Sequence, residues 1–193
     1  ANVYVCQRGI ELAKKRGFDL TRFRRIKAND SLIIGDLRIK AYQSEHCKID
    51  AKVIGKILLR QFSYQRIKTT LKIKKQNSFY SIDKKTDIFG YEILDEDKSV
   101  FIFGSANFSE SVTYPTNMDL LVFPYQGRSD MVSYSMKFID KFQPRSVLLD
   151  HFDDSFPPIS SQMDTQEFIQ CVQKKYPKIH IFEPEELVEY IVE

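Results

Sequence analysis

The apolar positions alternate at the start of the chain. "NVYVC" is β-branched with period two and reads as a strand. In "RGIELAKKRGF", Ile10, Leu12 and Ala13 followed by Gly17 predict a short helix closed by a glycine. Together these segments form a βα unit. "SLIIGDLRIKAYQSEH" contains two β-rich runs around Gly35-Asp36, an antiparallel hairpin whose second strand puts Leu37, Ile39 and Ala41 on one face. Next comes "IDAKVIGKILLRQFSYQRIKTTLKIKK", with apolar residues at Val53, Ile54, Ile57, Leu58, Phe62, Ile67 and Leu71. Spacings of three and four predict one or two amphipathic helices. The stretch 79–97 reads as hairpins, with "FGYEI" a strand and "LDEDKS" a turn.

Beyond residue 98 the pattern changes. "SVFIFGS", "DLLVFP" and "SVLLDH" are continuous apolar runs, strands that need cover on both faces. "SYSMKFIDKF" is a helix with Met136, Phe138 and Ile139 inward, and "TQEFIQCVQKKY" is a helix capped by Asp164 or Thr165. "IHIFEP" is a last strand and "EELVEYI" a last helix. Strand and helix therefore alternate in this half, the mark of an α/β fold. Neither an internal repeat nor a linker divides the 193 residues, which read as a single domain.

Composition narrows the class. A hydrophobic content of 42% suits a globular domain, and no apolar run approaches the roughly 20 residues of a membrane helix. No signal peptide precedes the first strand. Cys6, Cys47 and Cys171 are widely spaced and odd in number, which fits a reducing cytoplasm better than a disulfide scaffold or zinc finger. The net charge of +3 is ordinary, but its distribution is uneven. Between Asp50 and Asp83 there is no acid, while Lys52, Lys56, Arg60, Arg66, Lys68, Lys72, Lys74 and Lys75 all fall there. Such a run is either a solvated helix face or an attractor of nucleic acid and phosphorylated ligands. The acidic tail "EPEELVEYIVE" could face a basic patch across a homodimer.

Candidate chemistry gathers at strand ends, where open α/β sheets collect ligands. His46 follows "RIKAYQSE", Ser105 and Asn107 follow "VFIFG", and His151 follows "SVLLD". Two of only three histidines thus end strands. Neutral imidazole is a common ligand for zinc-like metals, and Asp150 or Asp153 could orient the ring from behind. A strand-end histidine also serves as an ordinary hydrogen-bonded residue, and "HFDD" as turn chemistry before Pro157-Pro158. His180, inside "KIHIF", reads as structural. Arg128 in "PYQGRSD" could hold an anion, or mark a surface turn.

The order of these motifs resembles that of the metallo-β-lactamase-fold hydrolases, in the branch similar to ascorbate-lactone hydrolases. Such proteins carry a strand and helix like "NVYVCQRGIELAKKRGF" just after a metal-binding HxHxDH segment. A hairpin like "LIIGDLRIKAYQSEH" then ends on a metal-binding histidine, matched by His46, and a strand like "QPRSVLLDHFDDSFPP" ends on the last, matched by His151. The resemblance implies an αββα sandwich, here mainly its C-terminal part, with a basic helical insert at about 50–77. It also implies a divalent metal, zinc before manganese or iron, and a metal-bound hydroxide attacking an ester, lactone or phosphodiester. Two departures stand out: HxHxDH is absent, and Ser105 occupies the place of the family's bridging aspartate. The missing segment implies a part of a longer protein, inactive alone, with one sheet face uncovered unless a second copy or the insert covers it. The serine implies a single metal, a substitute ligand such as Asp153, or a non-catalytic binding module with a lapsed site.

Overall fold

A computed structural model describes residues 1–60, 87–153, 162–185, 188, 189 and 191. Strand Val3–Val5 (β1), helix Gln7–Lys15 (α1) and strand Phe23–Arg25 (β2) form the expected first unit, with β1 and β2 parallel. The main sheet contains Ser31–Ile34 (β3), Leu37–Ser44 (β4), Ile88–Asp95 (β5), Lys98–Phe103 (β6), Leu120–Pro124 (β7), Ser146–Asp150 (β8) and His180–Phe182 (β9). These seven strands lie side by side in chain order. β3 to β6 are antiparallel neighbours, and two-residue turns at Gly35-Asp36 and Glu96-Asp97 reverse the chain on the spot between β3 and β4 and between β5 and β6. β6 to β9 are parallel, and helices Met131–Phe142 (α3) and Gln166–Lys175 (α4) return the chain between the last three.

One face of this sheet is closed by α3 and α4. Phe101, Leu121, Phe123, Val147 and Leu149 have no exposed surface, and they meet Phe138, Ile139 and Phe142 of α3 and Phe168 and Val172 of α4. The rings interlock: Phe138 stacks on Phe123 at 5.0 Å and stands edge-on to Phe103 at 5.2 Å. Each phenylalanine so buried contributes about 1.5–3 kcal/mol, and each good ring pair about 0.5–1.5 kcal/mol more. Gly90 is dictated by this packing, since a Cβ there would lie 2.6 Å from the Phe101 ring. Met136 packs at the rim of the core, half-buried.

The other face is less covered than its apolar sequence requires. Toward β3–β5 it is closed by the β1–α1–β2 unit, where Ile26 and Cys6 pack on Ala41 and Phe89. Further along, Val100, Ile102, Val122, Leu148 and Phe182 share that face by register and are only half-buried. The layers are thus helices, large sheet and a two-stranded sheet with α1 packed against it.

At the edge where β6, β7 and β8 begin, buried Asp119 accepts the Ser99 amide at 2.8 Å and Arg145 Nη1 at 2.8 Å. The insert is described only as far as Arg60, where Ala51–Arg60 forms helix α2. Its remainder, with Phe62, Tyr64, Ile67 and most of the basic run, lies outside the described residues, as does the start of the 79–97 hairpin region. The last helix is corrected: among the described residues of "EELVEYI" none is helical. Val188 and Ile191 are 48% and 80% exposed there, while Glu186, Leu187 and Tyr190 lie outside the described residues. No helix among the described residues is long and apolar enough to cross a membrane.

Candidate functional site

Because β4 runs in the same direction as β6, β7 and β8, the ends of all four strands reach one edge of the sheet. That edge carries the segments ending in His46, Ser105, Arg128 and His151, while His180 begins β9 at the opposite edge. β4 and β8 are four strand steps apart, about 19 Å at the usual 4.8 Å spacing. The loop after β4 shortens this gap by running back along the edge. The Cys47 amide donates to Ser105 Oγ at the end of β6, at 2.9 Å. Cys47 Sγ then fills the space at Gly127 after β7, where an added Cβ would sit 3.1 Å from the sulfur. Gly127 also has φ +108°, a conformation that L side chains rarely adopt. The next link is Gln126 Nε2, which donates to the Asp153 carbonyl beyond β8 at 3.3 Å.

His46 is exposed and oriented by its own neighbour. Its Nδ1 lies 2.8 Å from the Cys47 carbonyl oxygen. A carbonyl only accepts, so this contact puts the proton on Nδ1 and leaves Nε2 with its lone pair. Asn107 holds the same loop from β6: its Nδ2 donates to Glu45 Oε2 at 3.2 Å and to the His46 carbonyl at 3.3 Å. The Asn107 Oδ1 accepts Tyr134 OH from α3 at 2.6 Å, and Ser44 Oγ donates to the Asn107 carbonyl at 2.8 Å. Burial pushes the Tyr134 hydroxyl up to about 12, so it remains a donor at any ordinary pH. Burial also raises the Cys47 thiol.

His151 stands directly after β8 with φ +53°. Histidine is enriched among the few non-glycine residues that adopt this region, and four other described residues share it. Asp150 is exposed on its side-chain end, and its carbonyl accepts the Tyr125 amide at 2.7 Å. Asp153 is exposed. Ser105 is buried with its hydroxyl engaged by Cys47. Arg128 is clamped by Asp130, with bonds of 2.7 and 2.9 Å, and lies 4.5 Å over the Tyr134 ring.

The donor chemistry of His46 suits a metal ion, but the set is short. Among the described residues no three His, Cys, Asp or Glu side chains converge as a metal site, and zinc usually takes about four ligands. Sequence reasoning found His46, Ser105, Asn107 and His151 at this edge. It missed Cys47, Gly127 and Tyr134, whose partners lie far away in the chain. Beside His46 opens a cleft of about 480 Å³, lined in part by Lys48, Phe108, Ser109, Ser111, Tyr134 and Lys137.

No family profile matches the sequence, and no curated protein sequence matches it. Solved structures do match. YhfI from Bacillus subtilis, a metallo-beta-lactamase fold protein, is 12% identical with a TM-score of 0.56, over 94% of this chain and 62% of that one. Zinc-bound PqqB from Methylobacterium extorquens is 11% identical with a TM-score of 0.55, over 98% of this chain and 64% of that one. CmlA, a diiron beta-hydroxylase from Streptomyces venezuelae, is 11% identical with a TM-score of 0.53, over 95% of this chain and 39% of that one. The chain spans less than two thirds of the length of each. At these identities the likeness speaks for architecture, and with the layers and strand order above it establishes that the chain has the metallo-β-lactamase fold.

Proposed function

We propose that this chain belongs to a metal-dependent hydrolase of the metallo-β-lactamase superfamily and supplies two of its metal ligands, His46 and His151. The observation that carries the reading is the His46 Nδ1 contact with the Cys47 carbonyl, which leaves Nε2 as an exposed ligand atom on the edge that also holds His151. Metal-binding histidines are commonly fixed through the other ring nitrogen in this way. Support for a metal also comes from two fold neighbours, one zinc-bound and one diiron. Those neighbours differ in chemistry, so the metal's identity and the bond cleaved rest on the site rather than on the fold.

In this reading His46 and His151 hold the ion, Asn107 and the Cys47 carbonyl fix the His46 ring, and Asp150 or Asp153 backs His151 or completes the ligand set. A bound divalent metal of this kind activates water at neutral pH and polarises an ester, lactone or phosphoryl oxygen. Kinship with the branch similar to ascorbate-lactone hydrolases rests on motif order alone. A cytoplasmic setting accords with three free cysteines. A homodimer covering the half-buried sheet face and nucleic-acid binding through the basic run are further parts of the proposal.

One observation favours a second reading, a binding module with a lapsed site. The Ser105 hydroxyl, in the place of the bridging aspartate, is buried and already accepts the Cys47 amide. It cannot replace a carboxylate as a ligand. Metal content by mass spectrometry of the full-length gene product separates the two. Near-stoichiometric zinc, manganese or iron that falls at least tenfold in His46→Ala and His151→Ala is the result expected of the hydrolase. A metal-free wild-type protein would establish the module.

A further inference from the structure

The cleft beside His46 has a charge arrangement that the metal reading leaves unused. Its acidic and basic lining groups are mostly satisfied within the protein. Arg128 is neutralised by Asp130 at 2.7 Å, and Glu110 by Lys141 at 3.1 Å. The Glu45 carboxylate is turned to Asn107 Nδ2. Lys48 and Lys137 remain: both are exposed lining residues, and neither makes an ion pair among the described residues. Glu45 offsets one of these charges, so the cleft is net positive and offers two ammonium groups to a ligand.

The positions of the other groups add shape to that charge. Lys137 and Tyr134 both come from α3, with Lys137 Nζ 5.6 Å from the Tyr134 ring centre. The lining also bears two hydroxyls, Ser109 and Ser111, hydrogen-bonded to each other at 3.1 Å. The apolar floor is Phe108, packed in the core beneath. Lysines act as mobile point charges that suit a tetrahedral oxyanion, whereas a planar carboxylate is best met by the fork of an arginine. The one arginine lining the cleft is committed to Asp130. A phosphate group presents three strong acceptor oxygens, enough to engage both lysines at once, where a carboxylate offers two in one plane. The volume lies within the roughly 300–1,000 Å³ of small-molecule sites.

We propose that this cleft binds the phosphate group of a small phosphoester, which on the metal-hydrolase reading above is the substrate. Lys48 and Lys137 contact the phosphate, the hydrogen-bonded Ser109–Ser111 pair donates its one remaining hydroxyl hydrogen to it, and Tyr134 lies beside the organic part. Adjacency is built in, because Lys48 and Glu45 flank the loop that carries His46.

The test is calorimetric titration of chelator-treated protein with inorganic phosphate and, separately, acetate, at constant ionic strength. Saturable one-to-one binding of phosphate, at least tenfold tighter than acetate, is expected. Lys48→Gln and Lys137→Gln should each weaken it fivefold or more, and Lys174→Gln on α4 should leave it unchanged. Absent or unsaturable phosphate binding, equal affinity for acetate, or wild-type affinity in both cleft variants would each overturn the assignment. Since the titration uses metal-free protein, failure of the metal reading leaves its outcome untouched.

Discussion

His151 is one of five described non-glycine residues with positive φ. A left-handed backbone disfavours side chains with a Cβ by about 1–2 kcal/mol, while glycine loses about 0.5–1 kcal/mol of unfolded-state freedom. The backbone balance predicts that His151→Gly is more stable than His151→Ala by up to about 1.5 kcal/mol. Urea unfolding of the two variants measures this directly, and a His151→Gly protein less stable than His151→Ala would contradict it. At this scale the sequence was informative where chemistry is local. At Arg128 the sequence allowed an anion site or a surface turn, and in the structure the acid two residues later in "RSD" engages the guanidinium. Cys47 could not be read, because its role depends on Ser105 and Gly127, 58 and 80 residues away.

Helix α2 is fastened to the sheet edge by one carboxylate. Asp50 accepts the Ser129 amide at 2.6 Å and the Val53 amide at 2.9 Å, so it both caps α2 and ties it to the segment after β7. These hydrogen bonds, that from Ser129 foremost, hold its pKa well below the ordinary carboxylate value. The folded pKa is therefore lower than the unfolded one. The stabilisation is present in full above about pH 4 and is lost as pH falls further. Hydrogen-exchange protection of the Val53 and Ser129 amides, corrected for intrinsic rates, should be constant above about pH 4 and drop below it, and Asp50→Asn should remove that dependence. Elements with continuous or alternating apolar runs, such as β6, β7 and β8, were legible because burial alone selects them. "EELVEYI" had helical spacing too, but spacing states only which residues would share a face. Whether another surface meets that face is decided elsewhere in the chain, and here Ile191 is left in solvent.

Across the whole molecule, parallel strand direction does most of the work. It gathers His46, Ser105, Asn107 and His151 from three strand ends onto one edge, and sends His180 to the other. The strand-end rule made that edge readable from sequence, and the order of motifs made the fold readable. The partial cover of the second sheet face was readable too, since Val100, Ile102, Val122 and Leu148 lie in runs too apolar for open water. What could not be read was the folding back of the His46 loop toward β8, which arises from tertiary contacts of Cys47. The most direct test of the metal-ligand role is imidazole 15N NMR of the three histidines, before and after zinc is added. Without metal, His46 should carry its proton on Nδ1. With zinc, His46 Nε2 and a His151 ring nitrogen should shift together while His180 stays unchanged. A proton on His46 Nε2, or zinc shifts that spare both His46 and His151, would contradict the account.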